Sequence, residues 1–356
     1  MRKIHQFVAS FRDGDAISNE SRVIQRLLCA WGFESEIFAE THSLPPGSRI
    51  KIFSLAETSL IAPQDVVLLH LSTGSKVNTL FKKMKCRKAV LYHNITPPEF
   101  FRGLNEQAAM AMERGLEQMK QLAGIAEVVM ADSRFNADEL EKMGYHDVSV
   151  LPLILDFDAI TATPDRKVLK RFDDGKINLL FVGRCAPNKR LEDALSCFYY
   201  LRNYVEPQSR FIHVGSSAGM EQYHALLMTF VRNLALTGVE MLGQVSREEL
   251  MACYRSATVF ISMSEHEGFC IPLIEAMAHD LPIVAYDAGA VVDTLNGAGV
   301  VCAEKNFDEL AELIGMLAID DDMRQSVIDG QRRRLADYRE RDLETELKIH
   351  LAPLLE

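Results

Sequence analysis

The sequence has little that would place the protein outside the cell or across a membrane. Its seven cysteines are scattered, odd in number and never spaced as Cys-x-x-Cys, so we expect reduced thiols in a cytosolic protein and no zinc site. No run of about 18 apolar residues occurs, so we expect no membrane-spanning helix. The first residues enter a strand-like segment without the apolar core of a signal peptide, so we expect no such peptide.

Positive charge is also scarce. The chain holds 39 Lys and Arg residues against 50 Asp and Glu residues, a net charge of −11. Residues 1–155 contain 18 of each sign, so the whole excess of negative charge lies in the remainder. An acidic second half argues against a nucleic-acid-binding protein.

The glycine fingerprint G-x-G-x-x-G is missing after the first strand-like segment, residues 3–10, which counts against a NAD-dependent dehydrogenase. Strand-like and helix-like segments alternate instead, which predicts parallel α/β architecture. At 356 residues we expect two domains. The predicted boundaries are a first domain at 1–155, a linker at 156–176, a second domain at 177–338 and a tail helix at 339–356 that returns to the first domain.

The most informative stretch, residues 259–287, reads as strand, loop, helix and strand. The loop after such a strand and the start of the helix face the ligand. Loop N–H groups beside a helix N-terminus suit an anionic phosphate, whereas the carboxylates of Glu267 and Glu275 suit sugar hydroxyls. We therefore expect a ligand with both groups. The N–H groups in question belong to Gly268, Phe269 and Cys270.

A second loop of the same kind follows the strand-like residues 177–182. It begins at Gly183 and carries Arg184 and Lys189. Their cations can converge on a diphosphate and stabilise the charge that develops on it as it departs. The alternative is that both cations are simply solvated.

In the first half, polar residues also follow apolar strands. Residues 11–20 read as a loop around Gly14 that precedes a helix at 21–31, or as a plain glycine turn with a Ser or Asn N-cap. His70 lies near the end of one strand and His93 at the end of the next, where Pro97 and Pro98 fix an extended loop. His93 could accept a proton from a hydroxyl, hydrogen-bond a sugar, or serve only the backbone.

Residues 77–88 read as an amphipathic helix with an apolar stripe and a dense run of cations. Such a helix can lie on an anionic membrane surface, although a solvated helix packed on a sheet has the same pattern. The cations are Lys82, Lys83, Lys85, Arg87 and Lys88.

The residues EHEGFCIPLIEAMA at 265–278 resemble the E-x7-E signature of retaining glycosyltransferases of the glycosyltransferase 4 type, which have the GT-B fold. The resemblance implies two doubly wound Rossmann-like domains that face a central crevice. It implies that Glu267 contacts the donor sugar and Glu275 the nucleotide ribose. The loop at 183–190 is similar to the family's donor-phosphate loop. Cys270 departs from the pattern, since many relatives have glycine there, and should change crowding near the sugar more than the chemistry.

The resemblance extends, more weakly, to other segments. GDAISN at 14–19 and YHNITPP at 92–98 are similar to segments near the acceptor and donor sugar in a subset of the family. It also implies that Gly215 and Val245 hold the nucleotide base. The acceptor-side residues it implies are Gly14, Asp15, Ala16, Asn19, His93 and Asn94.

The resemblance implies a retaining glycosyltransferase that uses a nucleotide-diphosphate sugar, with Glu267, His93, Arg184 and Lys189 as the catalytic set. GDP-mannose is the first candidate donor and UDP-sugars the next. The expected acceptor is a growing polysaccharide or a polyprenyl-linked oligosaccharide at the cytoplasmic face of the membrane, and we expect no metal and no other cofactor. The alternatives are a nucleotide-sugar 2-epimerase on the same fold and a non-catalytic subunit that scaffolds an active partner.

Overall fold

A computed structural model of the chain describes residues 3–12, 14–42, 50–56 and 61–355. These residues form two compact units. Unit 1 takes its residues from 1–99, 106–156 and 342–356, and unit 2 consists of 100–105 and 157–341. The segment 100–105 therefore groups with unit 2, although the sequence predicted an unbroken first domain to residue 155.

Each unit is built on one parallel sheet. The strands of unit 1 are β1 (Ile4–Phe11), β2 (Ile37–His42), β3 (Lys51–Ile52), β4 (Val66–Leu71), β5 (Arg87–Tyr92), β6 (Val128–Ala131) and β7 (Ser149–Val150). Their order across the sheet is β3-β2-β1-β4-β5-β6-β7. The strands of unit 2 are β8 (Ile177–Val182), β9 (Ser209–Val214), β10 (Val239–Met241), β11 (Val259–Ser262), β12 (Ile283–Tyr286) and β13 (Val300–Cys302). Their order is β10-β9-β8-β11-β12-β13.

Helices connect the strands. In unit 1 these are α1 (Ala16–Ala30), α2 (Lys76–Lys83), α3 (Glu106–Leu122) and α4 (Arg134–Lys142). Those of unit 2 are α5 (Phe157–Ile160), α6 (Arg166–Phe172), α7 (Leu191–Tyr200), α8 (Glu221–Asn233), α9 (Arg247–Ser256), α10 (Ile271–Ala278), α11 (Val291–Leu295), α12 (Phe307–Ile319) and α13 (Asp321–Glu340). The chain then returns to unit 1 as α14 (Leu343–Leu355). Short 3-10 helices lie at Phe53–Ala56, Pro98–Phe100 and Pro187–Lys189, and a π-helix at Leu201–Val205.

Alternation along the strands of unit 1 supplies two apolar faces, as parallel sheets covered on both sides require. Leu69 and Val90 belong to a core cluster that includes side chains of α2, α3 and α4. Leu68 and Leu91 belong to the opposite cluster, with side chains of α1 and α14. The tail helix contributes one buried side to this second cluster, namely Leu343, Leu347, Leu351 and Leu354.

Three local predictions were wrong. Helix α1 begins at Ala16 rather than at residue 21, because Asp15 is its N-cap and accepts a hydrogen bond from the Ser18 N–H at 3.0 Å. The linker predicted at 156–176 contains α5 and α6, and α6 is capped by Asp165. The predicted basic helix ends at Lys83, since Met84 is extended and β5 starts three residues later.

That last difference removes two cations from the predicted basic face. Arg87 pairs with Glu127 at 2.9 Å. Lys88 is buried and donates to the Met84 carbonyl at 2.5 Å. Lys82, Lys83 and Lys85 remain exposed. Within the described ranges no helix combines the length and the apolar character needed to cross a bilayer.

Candidate active site

In the unit 2 sheet the strand order reverses between β8 and β11. These two strands pair in parallel, with β9 and β10 continuing on one side and β12 and β13 on the other. Loops that follow such neighbouring strands diverge and leave room for a ligand at their carboxyl ends. Asn188 holds the two loops together: its carbonyl accepts from the Glu265 N–H at 2.9 Å, and its side-chain amide donates to the His266 carbonyl at 3.1 Å.

Lys189 and Glu267 meet across these loops. The Lys189 ammonium donates to both Glu267 carboxylate oxygens, at 2.6 and 2.7 Å. The Glu267 side chain is 7% exposed and that of Lys189 20%. Burial lowers the pKa of Lys189, but the Glu267 carboxylate more than offsets it, so the Lys189 pKa is raised. The pair is therefore a fixed ammonium and carboxylate.

Arg184 lies on the surface of the same loop. Its guanidinium opposes the Lys189 charge and acts to lower the Lys189 pKa, so the two cations share one electrostatic environment. A dianionic group bound beside them would relieve that repulsion.

Two glycines permit neighbouring loops to pack closely against the backbones of Gly183 and Glu267. A Cβ atom on Gly215, after β9, would lie 1.8 Å from the Gly183 carbonyl oxygen. That carbonyl also accepts a hydrogen bond from the buried His213 ring at 2.9 Å. A Cβ atom on Gly289, whose φ is +57°, would lie 2.4 Å from the Glu267 carbonyl oxygen. The backbones of Gly183 and Glu267 are thus each supported by a neighbouring loop.

The three residues after Glu267 differ in role. Gly268 continues the loop, and Phe269 is buried, edge-on to Tyr338 with ring centroids 6.0 Å apart. Its carbonyl also accepts a hydrogen bond from Thr294. Cys270 is the N-cap of α10 and has a left-handed backbone, φ 69°, and burial raises the pKa of its thiol well above the usual range. The side chains of Phe269 and Cys270 are both buried, and the Cys270 thiol interacts with the Glu267 carboxylate.

Glu275 lies on α10 and accepts a hydrogen bond from the Tyr254 hydroxyl at 2.7 Å. Burial raises the pKa of Glu275, and the Tyr254 bond partly offsets that rise. Tyr254 in turn stacks on His279, with ring centroids 5.3 Å apart. Val245 is half-buried in the turn before α9, whose N-terminus has a capping box between Ser246 and Glu249.

Unit 1 holds a second polar cluster, around His93. The His93 Nε2 atom lies 2.9 Å from His70 Nδ1, and His70 Nε2 lies 2.9 Å from the Gln6 side-chain oxygen. His93 Nδ1 lies 3.4 Å from Asp132, and Glu20 approaches His93 Nε2 at 3.6 Å. All five side chains are buried. Gln6, His70, His93 and Asp132 come from β1, β4 and the ends of β5 and β6, four neighbouring strands.

The remaining predicted acceptor-side residues either border this cluster or belong to the N-terminal cap and first turns of α1. Gly14 has a φ of +80°, and Asp15 caps α1, so Ala16 and Asn19 lie in its first turns. Asn94 has a φ of +81° and donates to the Asn136 side-chain oxygen at 2.8 Å. That asparagine also donates to Asp132 at 2.5 Å, which links Asn94 to the cluster.

Two features bear on metal binding. Glu20, His70 and His93 each offer a ligand atom, and these atoms lie within 4.8 Å of one another. The two imidazoles are nearly coplanar, with an interplanar angle of 4°, and their facing nitrogens are at hydrogen-bond distance, so their geometry is that of a shared proton. Asp13 and Asp15 have the Asp-x-Asp spacing of some metal-dependent transferases, but Asp13 lies outside the described residues and Asp15 is engaged as a cap.

Several residues of these clusters were not identified from the sequence: Gln6, Glu20, Asp132, Asn188 and Tyr254. Gln6 is a polar residue inside an apolar strand, and Asp132 follows a buried strand as His93 does. These sequence patterns could have identified Gln6 and Asp132 as candidate site residues. Glu20 and Tyr254 lie on helices, where only the packed structure shows what they face.

Solved structures of similar architecture cover the whole chain. The sucrose-phosphate synthase of Thermosynechococcus elongatus superposes with a TM-score of 0.80 at 16% identity, covering 100% of this chain and 99% of that one. The fold is GT-B. This agrees with the predicted class of two doubly wound Rossmann-like domains, each with a parallel sheet.

The loops that carry Lys189 and Glu267 lie within a segment that matches a known family model. Residues 163–334 match the model described as glycosyl transferases group 1. The O-antigen chain mannosyltransferase B of Escherichia coli is 25% identical over 146 residues, 41% of this chain and 38% of the relative. A GDP-mannose-dependent alpha-mannosyltransferase of Mycobacterium tuberculosis is 28% identical over 178 residues, 49% and 43% respectively. The matches thus span about two fifths of these relatives' length.

Proposed function

We propose that this GT-B protein is a retaining glycosyltransferase that moves a sugar from a nucleotide-diphosphate donor to a carbohydrate acceptor. One observation carries the proposal: Lys189 and Glu267 form a buried pair where the strand order of the sheet reverses. A segment that matches group 1 glycosyl transferases surrounds this pair. A cation for phosphate and a carboxylate for hydroxyls therefore lie side by side.

The proposed roles follow from the chemistry of these groups. An ammonium has three N–H donors, and Glu267 accepts two from Lys189. The third, with Arg184 and the N–H groups before α10, would stabilise the charge on the departing diphosphate. The Glu267 carboxylate would accept from a sugar hydroxyl, and Glu275, oriented by Tyr254, would accept from the ribose. The proposed transfer requires no metal ion.

GDP-mannose is the proposed donor. The names of two relatives support it, since one is a mannosyltransferase and the other is GDP-mannose-dependent. An O-antigen chain is a polysaccharide, so the first of these names also supports a polysaccharide or lipid-linked oligosaccharide as acceptor. The base would bind near Gly215 and Val245, largely through backbone groups.

Donor binding is tested by thermal shift. Purified protein in EDTA would be heated with GDP-mannose, GDP-glucose, UDP-glucose or dTDP-glucose, because a ligand that binds only the folded state raises the Tm. We expect GDP-mannose to raise the Tm of the wild type but not of Lys189→Met. Lys176→Met, which removes an exposed lysine paired with Asp174, should respond like the wild type. A shift with UDP-glucose alone would replace the proposed donor, and no shift with any donor would favour a scaffold.

The reaction is tested without knowing the acceptor. Glycosyltransferases can transfer to water slowly, so GDP-mannose hydrolysis would be followed by proton NMR. We expect α-mannose as the first product, before mutarotation. The β-anomer would contradict retention. Conversion of the nucleotide sugar to its C2 epimer would identify an epimerase instead.

We also propose peripheral contact with an anionic membrane through the exposed Lys82, Lys83 and Lys85. Each such lysine contributes about 1 kcal/mol near an anionic surface. Sedimentation with phosphatidylglycerol vesicles at low salt should recover the wild type, and a triple Lys→Gln variant should remain in the supernatant. Equal recovery of both would argue against this surface.

A further inference from the structure

The orientation of the Gln6 side chain determines where the protons of the unit 1 cluster lie. Its amide nitrogen is 2.9 Å from the Ser21 carbonyl oxygen, which can only accept a hydrogen bond. The NH₂ group of Gln6 therefore faces Ser21, and its oxygen faces His70. A flipped amide would set oxygen against oxygen, so the hydrogen-bond network fixes this assignment.

The position of the hydrogen on His70 follows from the orientation of the Gln6 side chain. The His70 Nε2 atom must carry a hydrogen to donate to the Gln6 oxygen at 2.9 Å. Burial, reinforced by the charge of His93, lowers the pKa of His70 well below its usual range, so His70 is neutral. A neutral imidazole has one N–H, which leaves Nδ1 of His70 as a bare acceptor directed at His93.

His93 must then be the donor in the bond between the two rings. Its Nε2 atom, 2.9 Å from His70 Nδ1, carries a hydrogen. Its Nδ1 atom lies at ion-pair distance from Asp132, 3.4 Å, and a hydrogen there completes the contact with that carboxylate. The other Asp132 oxygen already accepts from Asn136.

We propose that Gln6 and His70, together with Asp132 and Glu20, hold His93 as an imidazolium. His93 then serves the transfer as a fixed cation and hydrogen-bond donor rather than as a general base. The inference rests on the proposed function for its catalytic meaning, whereas the protonation state rests on the hydrogen-bond network and on the carboxylates that face His93. Gln6, His70, Asp132 and Glu20 are positioning residues, because they act through His93.

The charges that face His93 agree with this assignment. Carboxylates approach it from three places: Asp132 after β6, Glu20 on α1 and Asp15 at the start of α1. Burial lowers the pKa of His93, but its close contact with the Asp132 carboxylate and the charge of Glu20 outweigh that effect and raise the pKa. His70, the other titratable group in contact, is neutral.

Histidine NMR tests the protonation state without any activity. In ¹⁵N-histidine-labelled full-length protein at pH 7.5, we expect His93 to show two protonated ring nitrogens and His70 to be protonated only at Nε2. The resonances are assigned by His93→Asn and His70→Asn. A neutral His93 in the wild type would overturn the proposal. Added Zn²⁺ should leave both rings unchanged, and a stoichiometric change on zinc addition would assign them to a metal instead.

Two glutamine variants test the cause. Gln6→Met removes the acceptor that fixes the His70 tautomer, so His70 can protonate at Nδ1 and His93 should become neutral at pH 7.5. Gln25→Met is the matched control, because Gln25 also donates to a backbone carbonyl, that of Ser35 at 2.9 Å, but contacts no histidine. An unchanged His93 in folded Gln6→Met would overturn the role of Gln6.

The pH dependence of transfer separates the two roles of His93. An imidazolium donor loses activity as the pH rises through its pKa, whereas a general base loses activity as the pH falls through it. We expect the alkaline loss, and we expect Asp132→Asn to move it to lower pH. Removing one preorganised hydrogen-bond donor of this kind lowers kcat about 100-fold or more, so His93→Asn should do so. If no transfer is detected at all, the proposed function fails while the NMR result still decides the protonation state.

Discussion

The Lys189 ammonium and the Glu267 carboxylate form a two-point ion pair, with Nζ 2.6 and 2.7 Å from the two oxygens. The residues lie 78 positions apart in the chain and follow neighbouring strands, β8 and β11. The pair therefore joins the two loops that would hold the donor. The arrangement of the two loops therefore depends on both charged side chains.

Removing either charge should destabilise unit 2. Breaking a buried ion pair leaves one charge uncompensated, which costs about 3 kcal/mol or more, so we expect this loss for Lys189→Met and for Glu267→Gln. The double variant should lose less than the sum of the two. Urea unfolding followed by circular dichroism measures these differences. Lys176→Met should lie within about 0.5 kcal/mol of the wild type, and additive single effects would show that the pair is not coupled.

Gly215→Ala should disrupt the donor site more than its small size suggests. The added methyl group would lie 1.8 Å from the Gly183 carbonyl oxygen, so one loop must move. Overpacking of this kind costs about 1–3 kcal/mol, and we expect the GDP-mannose-induced rise in Tm to be lost. Gly330→Ala is the control, because its new methyl group would meet only the flexible Arg333 side chain at 3.8 Å. Full donor binding by Gly215→Ala would refute a contribution of this close approach.

The sequence predicts the strand, loop, helix and strand around Glu267 well because the signals for these elements are local. The strands at 259–262 and 283–286 and the proline in the first turn of α10 all depend on neighbours in the chain. The contact between Lys189 and Glu267 cannot be predicted from neighbours in the chain, since it requires β8 and β11 to be adjacent in the sheet. Their strand order is a property of the whole sheet.

Tyr254→Phe should weaken donor binding without removing any group that touches the donor. The Tyr254 hydroxyl donates to Glu275 and opposes the rise in the Glu275 pKa caused by burial. Without it, Glu275 is less fixed and less ionised. A hydrogen bond of this kind contributes about 1–2 kcal/mol, so we expect the Kd for GDP-mannose to rise about tenfold by calorimetry. Tyr204→Phe, an exposed tyrosine of unit 2, should leave the Kd unchanged, and an unchanged Kd in Tyr254→Phe would show that Glu275 does not need this bond.

The unit 1 cluster could not be derived in the same way. His93 and His70 carry a signal as polar residues at strand ends, but the pattern gives no partner for either. Glu20 lies in a stretch that the sequence assigned to a loop, because Gly14 and four polar residues obscure the start of α1. Once Asp15 is recognised as the N-cap, the helical period places Glu20 on the inner face, with Ile24.

Glu20 should make the stability of unit 1 depend on pH. Burial raises its pKa from 4.5 to about 7, so the folded state binds more protons than the unfolded state between these values. The unfolding free energy contributed by this group therefore falls as the pH rises through that window. Because one pKa unit corresponds to about 1.4 kcal/mol, ionised Glu20 costs about 3 kcal/mol above pH 7.

Glu20→Gln removes this titration while an amide oxygen can still accept from the Ile154 N–H, as Glu20 does at 3.1 Å. The variant should match the wild type near pH 4 and exceed its stability by about 3 kcal/mol at pH 8. Trp31, the single tryptophan, lies at the end of α1 and reports the urea unfolding of unit 1 by fluorescence. Glu34→Gln, at an exposed carboxylate of the same unit, should show no such divergence. A constant difference between Glu20→Gln and the wild type from pH 4 to pH 8 would mean that the folded-state pKa of Glu20 is not raised, and Glu20 would then face His93 as a carboxylate already well below pH 7.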